Sequence, residues 1–303
     1  MPQLVSIILT TIAPIIFVAG LGALLDRTKI LDPRTVSRIA IYLAIPALAF
    51  YGIANSTITG YELGSLVLFS VLSTLTITGL AWLVTIWFKM KRLTASAFIL
   101  SVALINLSNY GIPLNEFAYG QPGLERALIL AVLGFVYANT AGVFIASWGR
   151  ASVLRSFLNV FTVPAPYAAV LGLAVNAGYL SVPELVFRVT DILRGAAIPL
   201  MLVMLGVQIS RASLTGDWSL ILGASSMRLV GGAAVGFMVA ALLGLEGVTR
   251  QVAIVEASMP TAVTAVILAT EFQSEAKLTS SVILVSTVLS IFVLSIILAI
   301  LAQ

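Results

Sequence analysis

The feature that most constrains this chain is the length of its uncharged, apolar stretches. A helix needs about 20 apolar residues to cross the hydrocarbon core of a bilayer, and stretches of that length recur from one end of the sequence to the other. Soluble domains carry roughly 25% charged residues, whereas only 9% of these 303 residues are charged. So few charges cannot cover a globular surface in water. The chain is therefore expected to be an all-α polytopic membrane protein embedded in a lipid bilayer.

Ten apolar runs, each bounded by charges, Gly, Pro or Asn, are interpreted as transmembrane helices. They cover residues 4–25, 36–54, 63–88, 95–119, 127–148, 160–177, 185–209, 218–243, 248–271 and 278–302. The connecting loops are short, so we expect no inserted soluble domain. Basic residues follow the first run rather than precede it, which is the opposite of a cleaved signal peptide.

The distribution of basic residues between the loops predicts the orientation. Eleven lie in odd-numbered loops and three in even-numbered loops, and basic loops face the cytoplasm. Both termini are therefore expected outside. The odd-loop residues are Arg27, Lys29, Arg34, Arg38, Lys89, Lys91, Arg92, Arg150, Arg155, Arg211 and Lys277, and the even-loop residues are Arg126, Arg188 and Arg250. A net charge of only +4, scattered along the chain, gives no reason to expect a nucleic-acid partner.

The prolines indicate an internal repeat. Four of them recur in order at offsets of 147 to 153 residues, which divides the chain into residues 1–150 and 151–303 with five spans in each half. Five is odd, so the second half enters the membrane from the opposite side, and the two repeats are inverted as in many secondary transporters. The pairs are Pro14 and Pro164, Pro33 and Pro183, Pro46 and Pro199, and Pro113 and Pro260.

The fourth and ninth spans contain the most polar and most interrupted sequence. Residues 106–116 hold Asn, Ser, Gly, Pro and Glu, and residues 256–262 hold Glu, Ser, Pro and Thr. These spans are predicted to be broken helices that cross near the membrane midplane. Freed carbonyls together with Asn, Ser and Glu oxygens suit Na⁺, and half-helix amino termini after Pro113 and Pro260 suit an anion. Structural kinks and interhelical hydrogen bonds are the alternative.

The predicted substrate site lies on these two breaks. Its residues are Asn106, Asn109, Gly111, Pro113, Ser258, Pro260 and Thr261.

The same segments carry a family resemblance. Residues 106–113, followed by Phe117-Ala118-Tyr119-Gly120, resemble the fourth helix of the auxin efflux carrier family and its bacterial PIN-like members, and residues 256–260 with 269–272 resemble its ninth helix. The resemblance covers the whole chain and implies ten helices in two inverted repeats. It also implies an elevator in which the first, second, sixth and seventh helices move against a crossover-bearing core. The long cytoplasmic insert of the plant carriers is absent, since a short stretch around residues 149–155 joins the halves.

The ninth span is also similar to the bacterial bile-acid sodium symporters of the same superfamily. On that similarity Glu256 is expected to bind Na⁺, with Ser108 and Asn109 facing it and Met259 beside it. Two polar residues of the fifth span, Asn139 and Thr140, either complete the cation shell or form interhelical hydrogen bonds.

Three further charges lie within predicted spans. Asp191 and Arg194 are three residues apart on one helix face, where Asp191 either carries a coupling proton or forms a static pair with Arg194. Arg228 lies midway along the eighth span, where it neutralises a carboxylate, extends to the interface or holds a substrate carboxylate.

The chain contains neither His nor Cys, which excludes thiol chemistry and Ser-His dyads, and no enzyme activity is expected. We predict a secondary transporter of a small organic anion, an auxin-like carboxylate or a dicarboxylate, coupled to Na⁺ and without any other cofactor. A proton-coupled or uncoupled exporter is the alternative, followed by a channel or sensor. The expected location is a bacterial inner membrane, and a homodimer is left open.

Overall fold

A computed structural model describes residues 6–148 and 163–302, and the described parts are helical. Their one isolated β-bridge joins Ile105 to Thr261. The expected all-helical class is confirmed for these residues. The predicted junction between the two halves, with Arg150, Arg155 and the start of the sixth span, lies outside the described residues.

Twelve helical segments can be followed through the described ranges. Their bounds are α1 Ile8–Arg27, α2 Pro33–Ala54, α3 Gly60–Trp87, α4 Arg92–Ala103, α5 Leu107–Ala146, α6 Ala165–Asn176, α7 Glu184–Arg194, α8 Ala197–Arg211, α9 Trp218–Leu242, α10 Gly247–Ala257, α11 Val263–Glu271 and α12 Ala276–Leu301. By length and composition, seven stretches of the described chain could cross a membrane: α1, α2, α3, α5, α7 with α8, α9 and α12.

The long segment α5 folds back on itself at Gly120, whose φ of 64° is not helical. A Cβ atom added at Gly123 would overlap the carbonyl oxygen of Asn115. In a straight helix, residues eight positions apart are separated by about 12 Å, so this proximity requires a reversal of the chain. The reversal falls between the predicted fourth and fifth spans. It places Arg126, which was expected in a loop, inside the helix that follows, where it is 7% exposed.

Glycines allow helices of the two halves to approach closely. Gly22 of α1 lies against the backbone of Val203 in α8, and Gly206 of α8 lies against the backbone of Ala19 in α1. In the same way, a Cβ at Gly172 of α6 would stand 2.9 Å from the carbonyl oxygen of Phe50 in α2. The helix pairs α1–α8 and α2–α6 are therefore held by direct backbone proximity, as small residues permit within membranes.

Substitution of Gly206 by alanine is expected to destabilise the protein, because the new methyl group would overlap the α1 backbone. Overpacking of this kind costs about 1–3 kcal/mol. Gly20→Ala is the matched control, since nothing lies within 4 Å of a Cβ at Gly20. Thermal unfolding of the two variants in detergent measures the difference. Equal melting temperatures would mean that the α1–α8 approach contributes nothing to stability.

The remaining helices pack around two short unwound segments, residues 104–106 and 258–262. α10 contacts α3, α5 and α9, while α12 contacts α4, α9 and α11. Large apolar side chains on the outer surface are well exposed, among them Phe17, Leu83 and Phe292. Such an apolar surface matches the lipid environment expected from the sequence. The fold therefore places two short unwound segments at the centre of an apolar helical body.

Candidate functional site

Two unwound segments cross each other in the interior. One joins the end of α4 at Ala103 to the start of α5 at Leu107, and the other joins the end of α10 at Ala257 to the start of α11 at Val263. The N–H of Asn106 donates to the carbonyl of Pro260 at 2.9 Å, and the N–H of Ala262 donates to the carbonyl of Leu104 at 2.9 Å. Each segment thus satisfies backbone groups that the other leaves free, which unwound chain at membrane depth requires.

The break in the fourth span lies earlier than Pro113 suggested. The helix resumes at Leu107 with a π-helical turn, Leu107–Gly111, and Pro113 follows that turn inside α5. The wide π-helical turn tolerates the absence of a backbone N–H at Pro113, so Pro113 does not end the helix. In the ninth span, Pro260 lies within the unwound segment.

A cavity of about 450 Å³ extends from one end of the helices to this crossing. At the helix ends it is lined by Pro33, where α2 begins, and by Arg211, where α8 ends. At its inner end it is lined by Asn106, Ser108 and Asn109 from the start of α5, and by Ala262, Val263 and Thr264 from the start of α11. We call it the large cavity. The amino termini of two half-helices, one from each half of the chain, therefore line the same cavity.

A smaller cavity of about 100 Å³ lies beside the crossing. Its lining includes Glu256 and the hydroxyl-bearing residues Ser108, Tyr137 and Thr264. Because Ser108 and Thr264 also line the large cavity, the two spaces meet at these residues. We call it the small cavity.

Glu256 is the buried carboxylate of this site, with 2% of its surface exposed. The Asn115 amide donates to Oε1 of Glu256 at 2.9 Å and to the carbonyl of Gly111 at 3.0 Å. Within the described residues, Oε2 of Glu256 and Oδ1 of Asn115 have no hydrogen-bond partner. A Cβ at Gly111 would overlap the carboxyl group of Glu256, so only glycine permits this approach. A buried carboxylate without a second partner is costly unless a proton or another cation neutralises it.

Arg228 is a buried cation that contacts the helices preceding both unwound segments. It lies in α9 with 1% of its surface exposed, and its Nη1 donates to the carbonyl of Val102 at 2.6 Å. Its Nη2 donates to the carbonyl of Ala257. These carbonyls belong to the last turns of α4 and α10, where helix dipoles place partial negative charge.

The structure distributes the other residues of the predicted substrate and cation sites unevenly. Ser258 and Thr261 are fully buried, and their hydroxyl groups donate to the carbonyls of Ile254 and Ser101 at 2.6 Å each. Their hydrogen-bonding capacity as donors is thus used within the crossing. Four further residues are buried and line neither cavity: Gly111, Pro113, Met259 and Pro260.

The two residues of the fifth span that were expected to complete the cation shell, Asn139 and Thr140, line neither cavity. Asn139 donates to the carbonyl of Phe135 at 2.9 Å, and Thr140 donates to the carbonyl of Val136 at 2.7 Å. These bonds remain within their own helix, and neither residue lines the large or the small cavity.

Asp191 and Arg194 form an ion pair of 2.7 Å on α7. Half of the Asp191 side chain is exposed, and the Arg194 guanidinium stands 4.1 Å from the centre of the Tyr51 ring. This pair, too, contributes to neither cavity.

Sequence reasoning did not select Asn115, the residue that contacts Glu256 directly. Asn115 lies within the polar segment 106–116, but it is 141 positions from Glu256 and nothing local relates the two. A usable signal was its position four residues after Gly111, which places both on the same face of a helix.

Comparison with known proteins identifies the family. A family model described as membrane transport protein matches the chain twice, at residues 7–156 and 149–298. An uncharacterized transporter of Methanothermobacter thermautotrophicus is 26% identical over 290 residues, covering 93% of this chain and 94% of the relative. An uncharacterized transporter of Methanocaldococcus jannaschii is 26% identical over 272 residues, covering 86% and 87%. The chain is therefore a member of the membrane transport protein family of auxin efflux carriers and PIN-like proteins, as its fourth and ninth spans indicated.

Proposed function

We propose that the protein is a secondary active transporter of a small organic anion that works by alternating access. In this proposal ten spans form two inverted halves, residues 1–150 and 151–303, which meet at the crossing of the fourth and ninth spans. The observation that carries the proposal is the convergence of two half-helix amino termini, at Leu107 and Val263, on one cavity of about 450 Å³. Ligand pockets for small molecules commonly occupy roughly 300–1,000 Å³.

The chemistry of this cavity favours an anion. Helix amino termini present free N–H groups and partial positive charge, which stabilise a carboxylate. Asn106 and Asn109 line the same end of the cavity, and their side chains carry amide donors. The rest of the lining is largely apolar, with Ile41, Ile45 and Val207 among its residues. An apolar carboxylate, such as an aryl or indolyl acetate, suits both parts.

Glu256 is proposed to carry the coupling cation, and a proton is the first candidate. The carboxyl group has one neutral amide partner, Asn115, and its second oxygen lacks a partner within the described residues. A proton neutralises such a group without further ligands. Na⁺ is the second candidate, because the hydroxyl-bearing residues Ser108 and Thr264 line the same small cavity as Glu256.

The elevator division and the orientation are part of the same proposal. The close pairs α1–α8 and α2–α6 make up the first, second, sixth and seventh spans, which would move against the remaining helices. The large cavity reaches the helix ends at Pro33 and Arg211, on the side with the excess of basic loops. If these loops lie inside, as we propose, the large cavity faces the cytoplasm and both termini face outward.

Replacement of Asn109 by alanine is expected to weaken anion binding about tenfold to a hundredfold, because a hydrogen bond to a charged group contributes about 1.5–3 kcal/mol. Asn139→Ala is the matched control, since Asn139 bonds within its own helix and lines neither cavity. Counterflow of labelled indole-3-acetate, benzoate and succinate in proteoliposomes measures apparent affinity. If both variants transport every probe with wild-type affinity, the anion does not bind at the start of α5.

A further inference from the structure

Arg228 connects the two broken helices from a third helix. The last turns of α4 and α10 end in carbonyls that have no partner within their own helices, as at every helix carboxyl terminus. The guanidinium of Arg228 donates to one carbonyl from each helix, those of Val102 and Ala257. One fixed positive charge thus serves the carboxyl ends of both half-helices.

The surrounding residues make room for this charge. A Cβ atom at Gly232, one turn further along α9, would overlap both the Arg228 guanidinium and the carbonyl of Ala257. The described acidic residues give Arg228 no ion-pair partner within 4.0 Å. Backbone carbonyls rather than a carboxylate therefore stabilise its charge, and carbonyl oxygens are also the groups that coordinate a bound alkali cation. The third guanidinium nitrogen, Nε, has no hydrogen-bond partner within the described residues.

We propose that Arg228 acts as a tethered cation, which stabilises at the crossing the carboxyl-terminal carbonyls of α4 and α10 in the way that a bound metal ion could. The crossing is then held together without a metal ion, whichever cation Glu256 exchanges. Because this charge belongs to the protein itself, the stability of the crossed helices should not depend on the Na⁺ concentration. This proposal concerns the stability of the crossing and does not depend on which anion, if any, the large cavity binds.

The experiment measures the melting temperature of the purified full-length protein without substrate. Arg228→Ala is expected to melt about 5–10 °C below wild type, as the loss of several kcal/mol would require in a chain of this size. Low millimolar guanidinium or methylguanidinium should restore part of that loss, because it can bind the same two carbonyls. Urea at the same concentration should restore nothing, since it is neutral. Rescue by Na⁺ over K⁺ and choline would further support a vacated cation site.

Two further variants keep the test informative if Arg228→Ala is poorly folded. Arg228→Lys retains a charge and donors and should melt between wild type and alanine. Gly232→Ala should displace the guanidinium and lower the melting temperature with Arg228 still present. Arg188→Ala is the control, because Arg188 is exposed and its ion-pair partner among the described residues is Glu184. This variant should change neither the melting temperature nor the response to guanidinium.

Three results would overturn the proposal. One is an Arg228→Ala protein that melts like wild type, and another is restoration by guanidinium that is absent or no greater than that by urea. The third is stabilisation of wild type by Na⁺ over K⁺ that persists in Glu256→Gln, since Na⁺ would then bind at the crossing itself. Because no anion is present, failure of the anion-transport proposal would leave these results unchanged. Absence of guanidinium rescue would equally leave anion transport unaffected.

Discussion

Glutamine in place of Glu256 is expected to abolish anion accumulation driven by a pH gradient, while anion exchange at zero gradient continues. Glutamine resembles the protonated carboxyl group and its Oε1 can still accept the Asn115 hydrogen bond, but it cannot release a proton. For electroneutral movement of one proton with one anion, a gradient of one pH unit represents about 1.4 kcal/mol, or up to about tenfold accumulation. Proteoliposomes with labelled indole-3-acetate measure both accumulation and counterflow.

Glu116→Gln is the matched control for this variant. Glu116 follows Asn115 in α5, is only partly buried and lines neither cavity, so its loss should leave coupling unchanged. Accumulation by Glu256→Gln at the wild-type level would show that another group couples transport. If wild type responds to a Na⁺ gradient instead and Glu256→Gln does not, Na⁺ is the coupling ion. If wild type responds to neither gradient, the protein is an uncoupled carrier.

The helical class and the position of the break in the ninth span could be predicted from the sequence. Apolar runs bounded by charges are a one-dimensional signal that depends only on bilayer thickness, so most span positions follow from them. Pro260 lies in the unwound segment of the ninth span, where proline was expected to break the helix because it lacks a backbone N–H. Glu256 could be selected because an ionisable residue within a membrane span is rare and costly.

The partners of these residues could not be predicted in the same way. The break in the fourth span falls at residues 104–106 because the backbone there pairs with residues 260–262, a contact between distant parts of the chain. The Asn115–Glu256 bond and the two carbonyl contacts of Arg228 likewise depend on how four helices pack: α4, α5, α9 and α10. Residue type indicates that a buried charge needs a partner, but only the packing identifies it.

The position of Arg126 could not be predicted from the sequence for the same reason. The sequence placed it in an outer loop because a charge follows Gly120, Pro122 and Gly123, which are typical of a turn. The reversal at Gly120 is tight, however, and Arg126 already lies inside the returning helix. There it forms an ion pair with Glu62 of α3, and its Nε donates to the hydroxyl of Thr249 in α10 at 2.7 Å.

Removal of the Glu62 charge is expected to be the most destabilising single substitution considered. Thr249 also donates to Glu62 at 2.8 Å, so the carboxylate joins α3, α5 and α10 in one network. Glu62→Gln would leave Arg126, 7% exposed, without its counter-charge. Breaking a buried ion pair by removing one partner costs about 3–5 kcal/mol, and because the Glu62 side chain is 27% exposed we expect a loss toward the lower end of that range. Chemical denaturation in detergent, followed by tryptophan fluorescence, measures the loss.

Glu184→Gln provides the comparison, because it removes the same chemical group from an exposed pair. The side chains of Arg188 and Glu184 are 76% and 74% exposed, and such pairs contribute about 0–1 kcal/mol. The double variant Glu62→Met with Arg126→Met should lose less stability than Glu62→Gln alone, since no unpaired charge remains buried. A Glu62→Gln protein no less stable than Glu184→Gln would mean that water or lipid headgroups already solvate Arg126. The network would then tie α10, and with it Glu256, to the rest of the core no more firmly than a surface pair does.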